Sequence, residues 1–313
     1  MRGVYCDGAS LHLRHDLSRT EPGPGEIAVK VRIVGICDTD LQLARGYMDF
    51  RGIPGHEFIG ETLKGQRVTA EINNSCHNCA TCRSGRSQHC PNRTVLGIFN
   101  HDGAMADVVN VPSRNLHNIP DAIDDQTAVF IEPLAAAFRI TEQIELGPDV
   151  TMAILGDGKL GMLCARVARL TGARVHLVGK HPEKLAIAGE KIVTHTLDEV
   201  RELGRIFDVV ADCTGSKSGL PTALKLVQSC GTVVLKTTVA GEFTIDLAPI
   251  VIDEVKIIGS RCGPFPKAIA ALEAGMIDVR PLIGAIYSLD QADAAFEAAA
   301  VKGAKKILMN VRD

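Results

Sequence analysis

Four cysteines fall within residues 76–90, as Cys76-x-x-Cys79-x-x-Cys82, then seven intervening residues, then Cys90. Four soft thiolates at this spacing suit tetrahedral Zn²⁺, which can order a loop that has little apolar core of its own. A structural zinc lobe is therefore expected, with His77 and His89 at its surface. Arg83, Arg86 and Arg93 lie in the same stretch without aromatic neighbours, which argues against a nucleic-acid-binding ribbon. A second set of candidate ligands is dispersed through three short motifs: Cys37 in GICDTD, His56 and Glu57 in GHE, and Glu132 in IEPL. Each piece alone could be structural, Cys37 as a small buried side chain and His56 as a satisfied loop histidine.

A third pattern concerns phosphate. Met152–Leu155 reads as an apolar strand running into Gly156-Asp-Gly158-Lys159-Leu160-Gly161 and then into an apolar helix to Leu170. In a dinucleotide-binding turn Gly156 permits the bend, Gly158 lets the backbone approach a pyrophosphate, and Gly161 allows close helix–strand packing. Lys159 and Leu160 open the helix whose N–H groups face the ligand. At the end of the next strand, where an acid would accept the ribose hydroxyls, stands Gly179, followed by Lys180, His181 and Lys184. Loss of the acid beside these cations favours NADP, with NAD the other possibility. Thr214, near the end of DVVADCTG (208–215), is expected on the ligand side of the sheet.

These residues must be positioned by two kinds of element. Residues 1–118 mix β-branched alternation (EIAVKVRIV, 26–34) with Gly/Pro punctuation, predicting short strands and loops. Beyond Asp121, apolar strands alternate with alanine-rich helices, at 151–155, 173–178, 208–213, 231–235 and 256–260, predicting a parallel sheet covered by helices. After Pro281 a strand, a helix at 291–301 and a strand KILMNV (306–311) follow. At 313 residues, with 46% hydrophobic and 23% charged residues, two packed domains are expected and a disordered chain is excluded. The net charge of −3, from 34 basic and 37 acidic residues, supplies no field for nucleic acid. No apolar run reaches the roughly 18 residues of a membrane span and the start lacks an apolar h-region, so a cytoplasmic location without membrane association is expected.

Taken together, GICDTD, GHE, the four-cysteine lobe, DGAMADVVNVP, IEPLA and GDGKLG resemble the zinc-dependent medium-chain dehydrogenase/reductase family, relatives of alcohol, sorbitol and threonine dehydrogenases. The resemblance implies an α/β fold, a Rossmann doubly wound parallel sheet plus a β-rich GroES-like catalytic domain. It implies residues 1–120 and 263–313 for the catalytic domain, 121–262 for the dinucleotide domain, and an active site between them. Cys37 and His56 match catalytic-zinc ligands, Glu132 the third position, and Glu57 the neighbouring acid that enters or leaves the metal shell. Thr39 matches the hydroxyl that receives the substrate proton. The implied reaction is hydride transfer between NAD(P) and a secondary alcohol or polyol, in a homodimer or tetramer. A zinc-free quinone or enone reductase and a non-catalytic NADP sensor or scaffold are the alternatives. Two departures stand out: a short His56–Cys76 interval, which trims the hairpin before GQRV, and Gln42 where relatives often carry a proton-relaying histidine.

Overall fold

The computed structural model describes residues 1–238 and 242–312. It divides into two compact units, Met1–Glu132 with Ile269–Asp313, and Pro133–Ala268. The first unit opens with an antiparallel pair, β1 (Gly3–Cys6) and β2 (Leu11–Arg14). β3 (Glu26–Gly35) is its long central strand, rich in Val and Ile and buried along most of its length. β4 (Glu57–Thr62) lies antiparallel to it, so that Gly35 and Glu57 sit opposite one another. The expected short hairpin follows: Gly65 at φ +78 turns the chain, its N–H bonded to the Thr62 carbonyl at 2.9 Å, into β5 (Arg67–Ala70). β6 (Asn73–Asn74) pairs with β7 (Thr94–Val95) on either side of the cysteine segment, while β8 (Val108–Pro112) pairs with β3 and β9 (Leu116–Asn118) with β5.

The second unit is built on β10 (Thr151–Leu155), β11 (Arg174–Gly179), β12 (Ile192–Thr196), β13 (Phe207–Asp212), β14 (Val227–Leu235) and β15 (Lys256–Gly259). All pair in parallel, in the order β12-β11-β10-β13-β14-β15, the doubly wound arrangement. Every residue of β10 is buried, as a central strand covered on both faces requires. Ala153 and Leu155 on one face of it join Val178, Phe207, Val210, Leu226 and Val233 in one core cluster. β12 was not anticipated, because IVTHT is short, polar and at the sheet edge.

The chain then completes the first unit. β16 (Ile283–Ser288) runs parallel to β17 (Lys306–Asn310), and β17 pairs antiparallel with β3, giving the order β16-β17-β3-β4-β5-β9. Among the described residues no helix is long and apolar enough to cross a membrane.

Candidate metal centres and dinucleotide loop

Cys37 follows the end of β3 and caps the helix Asp38–Leu43. Asp40, in the first turn, is fully buried, and its Oδ2 accepts the Cys37 N–H at 2.8 Å. Its Oδ1 stands 3.5 Å from Nδ1 of His56, and neither of these buried atoms has a hydrogen-bond partner. Burial pulls the His56 imidazole down, but the Asp40 charge outweighs it and holds the ring well above its ordinary range. Nδ1 faces Asp40 and Nε2 is the nitrogen a metal would take, displacing its proton, the arrangement in which a carboxylate orients a metal-binding histidine. Close backbone contact sets the histidine. Gly55, at φ +98, has no room for a Cβ, which would lie 2.6 Å from Met105 Cγ, and its carbonyl accepts the Ala104 N–H at 2.9 Å. Met105 is thus part of the core.

Ligand atoms of Cys37, His56 and Glu57 converge within 4.8 Å of one another. Sulfur, imidazole nitrogen and carboxylate oxygen form a donor set that suits zinc. Thr39 Oγ1 lies 3.7 Å from Cys37 Sγ. Glu132 is buried near the start of the helix Ile131–Gln143, but its carboxylate is not one of the converging groups. Glu57 instead has a cation beside it: Lys306 Nζ, from β17, forms a short, fully buried ion pair with Glu57 Oε2 and donates to the Ile36 carbonyl at 3.3 Å. Burial lowers the Lys306 pKa, yet the Glu57 and Cys37 charges prevail and raise it. Gly35 leaves space for this pair, since a Cβ there would sit 2.7 Å from Glu57 Oε2.

In the lobe, the Sγ atoms of Cys76, Cys79, Cys82 and Cys90 all lie within 4.8 Å of one another, the pairs 76–82, 79–82, 79–90 and 76–90 at 3.4 to 4.0 Å. Tetrahedral zinc with Zn–S bonds of about 2.3 Å needs sulfurs ~3.8 Å apart, so the four residues fit the ion. The Asn78 N–H, aided by that of Cys79, holds the Cys76 thiol down at about 6, towards the thiolate a metal requires. His77 and His89 are exposed, outside the ligand set.

The glycine loop has the expected strand–turn–helix setting. Gly156 has φ +109, and a Cβ there would meet the Cys213 carbonyl at 2.7 Å; a Cβ on Gly161 would lie 1.9 Å from the Gly156 carbonyl oxygen. Gly158 faces open space, so the fold's own packing does not demand glycine there. Lys159 and Leu160 begin the helix Lys159–Leu170. Thr214 donates its hydroxyl to Asp212 Oδ1 at 2.7 Å, and Thr237 Oγ1 reaches the same oxygen at 3.2 Å, tying the loops after β13 and β14 together. At the end of β11, Gly179, Lys180, His181 and the buried Lys184 come together, but with Asp157 among them: its Oδ2 accepts the N–H groups of Lys180 and His181, each at 2.8 Å. A carboxylate thus stands beside Gly179, supplied by Asp157 from the glycine loop.

Asp40, Lys306 and Asp157 escaped the sequence reading. Asp40 had a signal, an acid in the first turn beside a candidate ligand, and Lys306 had another, a charge inside an otherwise apolar strand. Asp157 had none beyond its place between two glycines.

Comparison with known proteins supports these arrangements. Residues 23–121 match the alcohol dehydrogenase GroES-like domain and residues 160–274 the zinc-binding dehydrogenase domain. The chain belongs to the zinc-type medium-chain dehydrogenase/reductase family. It is an oxidoreductase of nicotinamide dinucleotides. Among its relatives, L-idonate 5-dehydrogenase of Vitis vinifera is 29% identical over 325 residues, covering 92% of this chain and 89% of that protein. A zinc-binding dehydrogenase of Sinorhizobium meliloti solved with NADP is 29% identical, with a TM-score of 0.89 over 99% of this chain and 98% of that one. An Escherichia coli alcohol dehydrogenase solved with NADH is 25% identical, with a TM-score of 0.90 over 99% of each chain.

Proposed function

We propose that this member of the family is a zinc-dependent NAD(P) dehydrogenase that interconverts a secondary alcohol or polyol and its carbonyl compound. The observation that carries this reading is the convergence of Cys37, His56 and Glu57, with Asp40 behind the histidine and Lys306 behind the glutamate. A polyol-type substrate is in keeping with the activity named for the grapevine relative. Cys37, His56 and a carboxylate of Glu57 or Glu132 would hold one zinc, and Cys76, Cys79, Cys82 and Cys90 a second, structural one. The first zinc, when bound, supplies a Lewis acid that lowers an alcohol's pKa and polarises a carbonyl.

The chain's own residues do the rest. Asp40 keeps His56 in one orientation, and Lys306 holds the Glu57 carboxylate until a competing cation draws it away. Thr39 Oγ takes the substrate hydroxyl proton as it passes on its own, and Gln42, which does not titrate near neutrality, leaves that proton to water. Gly156, Gly158 and Gly161, with the amides from Lys159 and Leu160 onward, receive the dinucleotide, and Thr214 lines its nicotinamide end. The free edge of β15 supports association into a homodimer or a dimer-based tetramer.

Metal analysis and an alcohol and polyol panel followed by nicotinamide absorbance test the assignment. Two zinc ions per chain are expected in the wild type. His56→Ala should retain one zinc and lose turnover, and Thr39→Val should keep both and fall by about 10²-fold, with Gln42→Ala near wild type. Full turnover in His56→Ala would overturn the catalytic assignment.

A further inference from the structure

Gly179 ends β11, the second strand of the dinucleotide fold, where an acid ordinarily meets the adenosine ribose 2′-hydroxyl. The structure shows why glycine stands there. A Cβ built on residue 179 would lie 2.5 Å from Oδ2 and 2.6 Å from Cβ of Asp157, so the acid of the glycine loop fills the space that a side chain at 179 would use. Asp157 is 8% exposed and anchored by three contacts to one oxygen: the Lys180 N–H and His181 N–H at 2.8 Å, and His181 Nδ1 at 2.9 Å. The opening of the second strand–helix connection thus carries a carboxylate after all, delivered from the preceding loop.

We propose that Asp157 is the residue that discriminates between the two dinucleotides, acting in place of the missing acid at 179 and selecting against a 2′-phosphate. The proposal rests on the reading of this loop as a dinucleotide site. The N–H groups of Lys180 and His181 and the His181 ring are the donors a 2′-phosphate would need, and Asp157 has already taken them. A phosphate arriving there must displace a carboxylate or lie against it, whereas a 2′-hydroxyl can donate to the carboxylate oxygen that these contacts leave over. Of the cations that in sequence point to NADP(H), His181 contacts this carboxylate and the buried Lys184 adds its charge, while Lys180 meets it through its backbone N–H alone, so the local positive charge is answered in part before any ligand binds. Binding should therefore favour NAD(H), and removing the carboxylate should release both the donors and the cations to a 2′-phosphate.

The test uses calorimetric titration of the zinc-loaded protein at one moderate salt concentration, with NAD⁺ and NADP⁺ and with the fragment pair 5′-AMP and 2′,5′-ADP, which differ by the 2′-phosphate alone. The wild type should bind NAD⁺ more tightly than NADP⁺, and 5′-AMP at least as tightly as 2′,5′-ADP despite the extra charge of the latter. Asp157→Asn, which keeps the size of the side chain, should move both ratios towards the 2′-phosphate by about tenfold or more, and Asp157→Ser should do the same. A wild type that prefers NADP⁺ and 2′,5′-ADP, or variants that leave the ratios unchanged, would overturn the proposal. Failure of the wild type to bind any of the four ligands would instead overturn the dinucleotide reading beneath it. The fragment titrations on the wild type decide the matter even if both variants fail to fold.

Discussion

At the scale of single residues, the Glu57–Lys306 pair is the least exposed charge pair in the first unit, with side chains 1% and 2% accessible. Taking one partner from a buried pair leaves the other uncompensated, so Lys306→Met should cost roughly 3–5 kcal/mol in urea unfolding. The double variant Glu57→Gln/Lys306→Met, which removes both charges, should recover most of that loss. A single variant as stable as the wild type would show that the pair contributes nothing. Cys37, His56 and the four lobe cysteines could be picked out in sequence because their types are rare and their spacing is chemical. Lys306 could not be tied to Glu57, because 249 positions separate them and strand order alone brings them together. Asp157 lay inside a recognised motif, but its direction depends on the vacancy at 179, which becomes meaningful in three dimensions.

Among the elements, β10, β11, β13 and β14 were readable as apolar runs, whereas β12 was not. Its inclusion brings a second titratable group onto the sheet. His176 of β11 and His195 of β12 stack at 5.1 Å with their planes 4° apart, His176 Nδ1 lies 2.8 Å from His195 Nε2, and the Phe207 ring meets His176 edge-on. One nitrogen of that contact must donate and the other accept, so the pair cannot hold protons on both. Burial, then the charges of His195 and Arg174, lower the His176 pKa below its usual 6.5. A histidine kept neutral by the fold adds stability that is complete above its unfolded value and is lost as pH falls from about 6.5 through the lower folded value. Protection against hydrogen exchange, corrected for the intrinsic rate at each pH, should therefore fall from pH 7.5 to 5.5 more at β11 and β12 than at β13 and β14. His176→Leu should abolish the difference, and an unchanged pH profile in that variant would count against the pair as its source.

For the whole molecule, the doubly wound sheet and the strand-rich unit were legible from the change of texture along the chain, because burial on both faces and burial on one leave different apolar periods. The outer edge of β15 pairs with no other described strand. Near it in sequence Leu247, Val251, Ile252 and Ile257 are exposed, Val251 and Ile252 at 74% and 78%. An apolar edge of this kind is the surface through which the proposed second copy would associate. Sedimentation at micromolar concentration should show a dimer or a multiple of it, and Ile257→Lys should weaken the association by tenfold or more; a wild-type monomer would exclude the assembly. The order of synthesis adds a consequence of β17. Cys37, His56 and Glu57 are all made within the first 57 residues, but Lys306 follows 249 residues later. At roughly 5–20 residues per second, a ribosome needs about 12–50 s to cover that interval. Through that time the growing chain carries a thiol, an imidazole and a carboxylate with no lysine to restrain the acid, and β3 lacks its β17 neighbour. At the proposed zinc site, an ion reaching the nascent chain would meet a more anionic set of ligands than one reaching the finished protein, and metal capture and completion of the sheet would compete for the same glutamate.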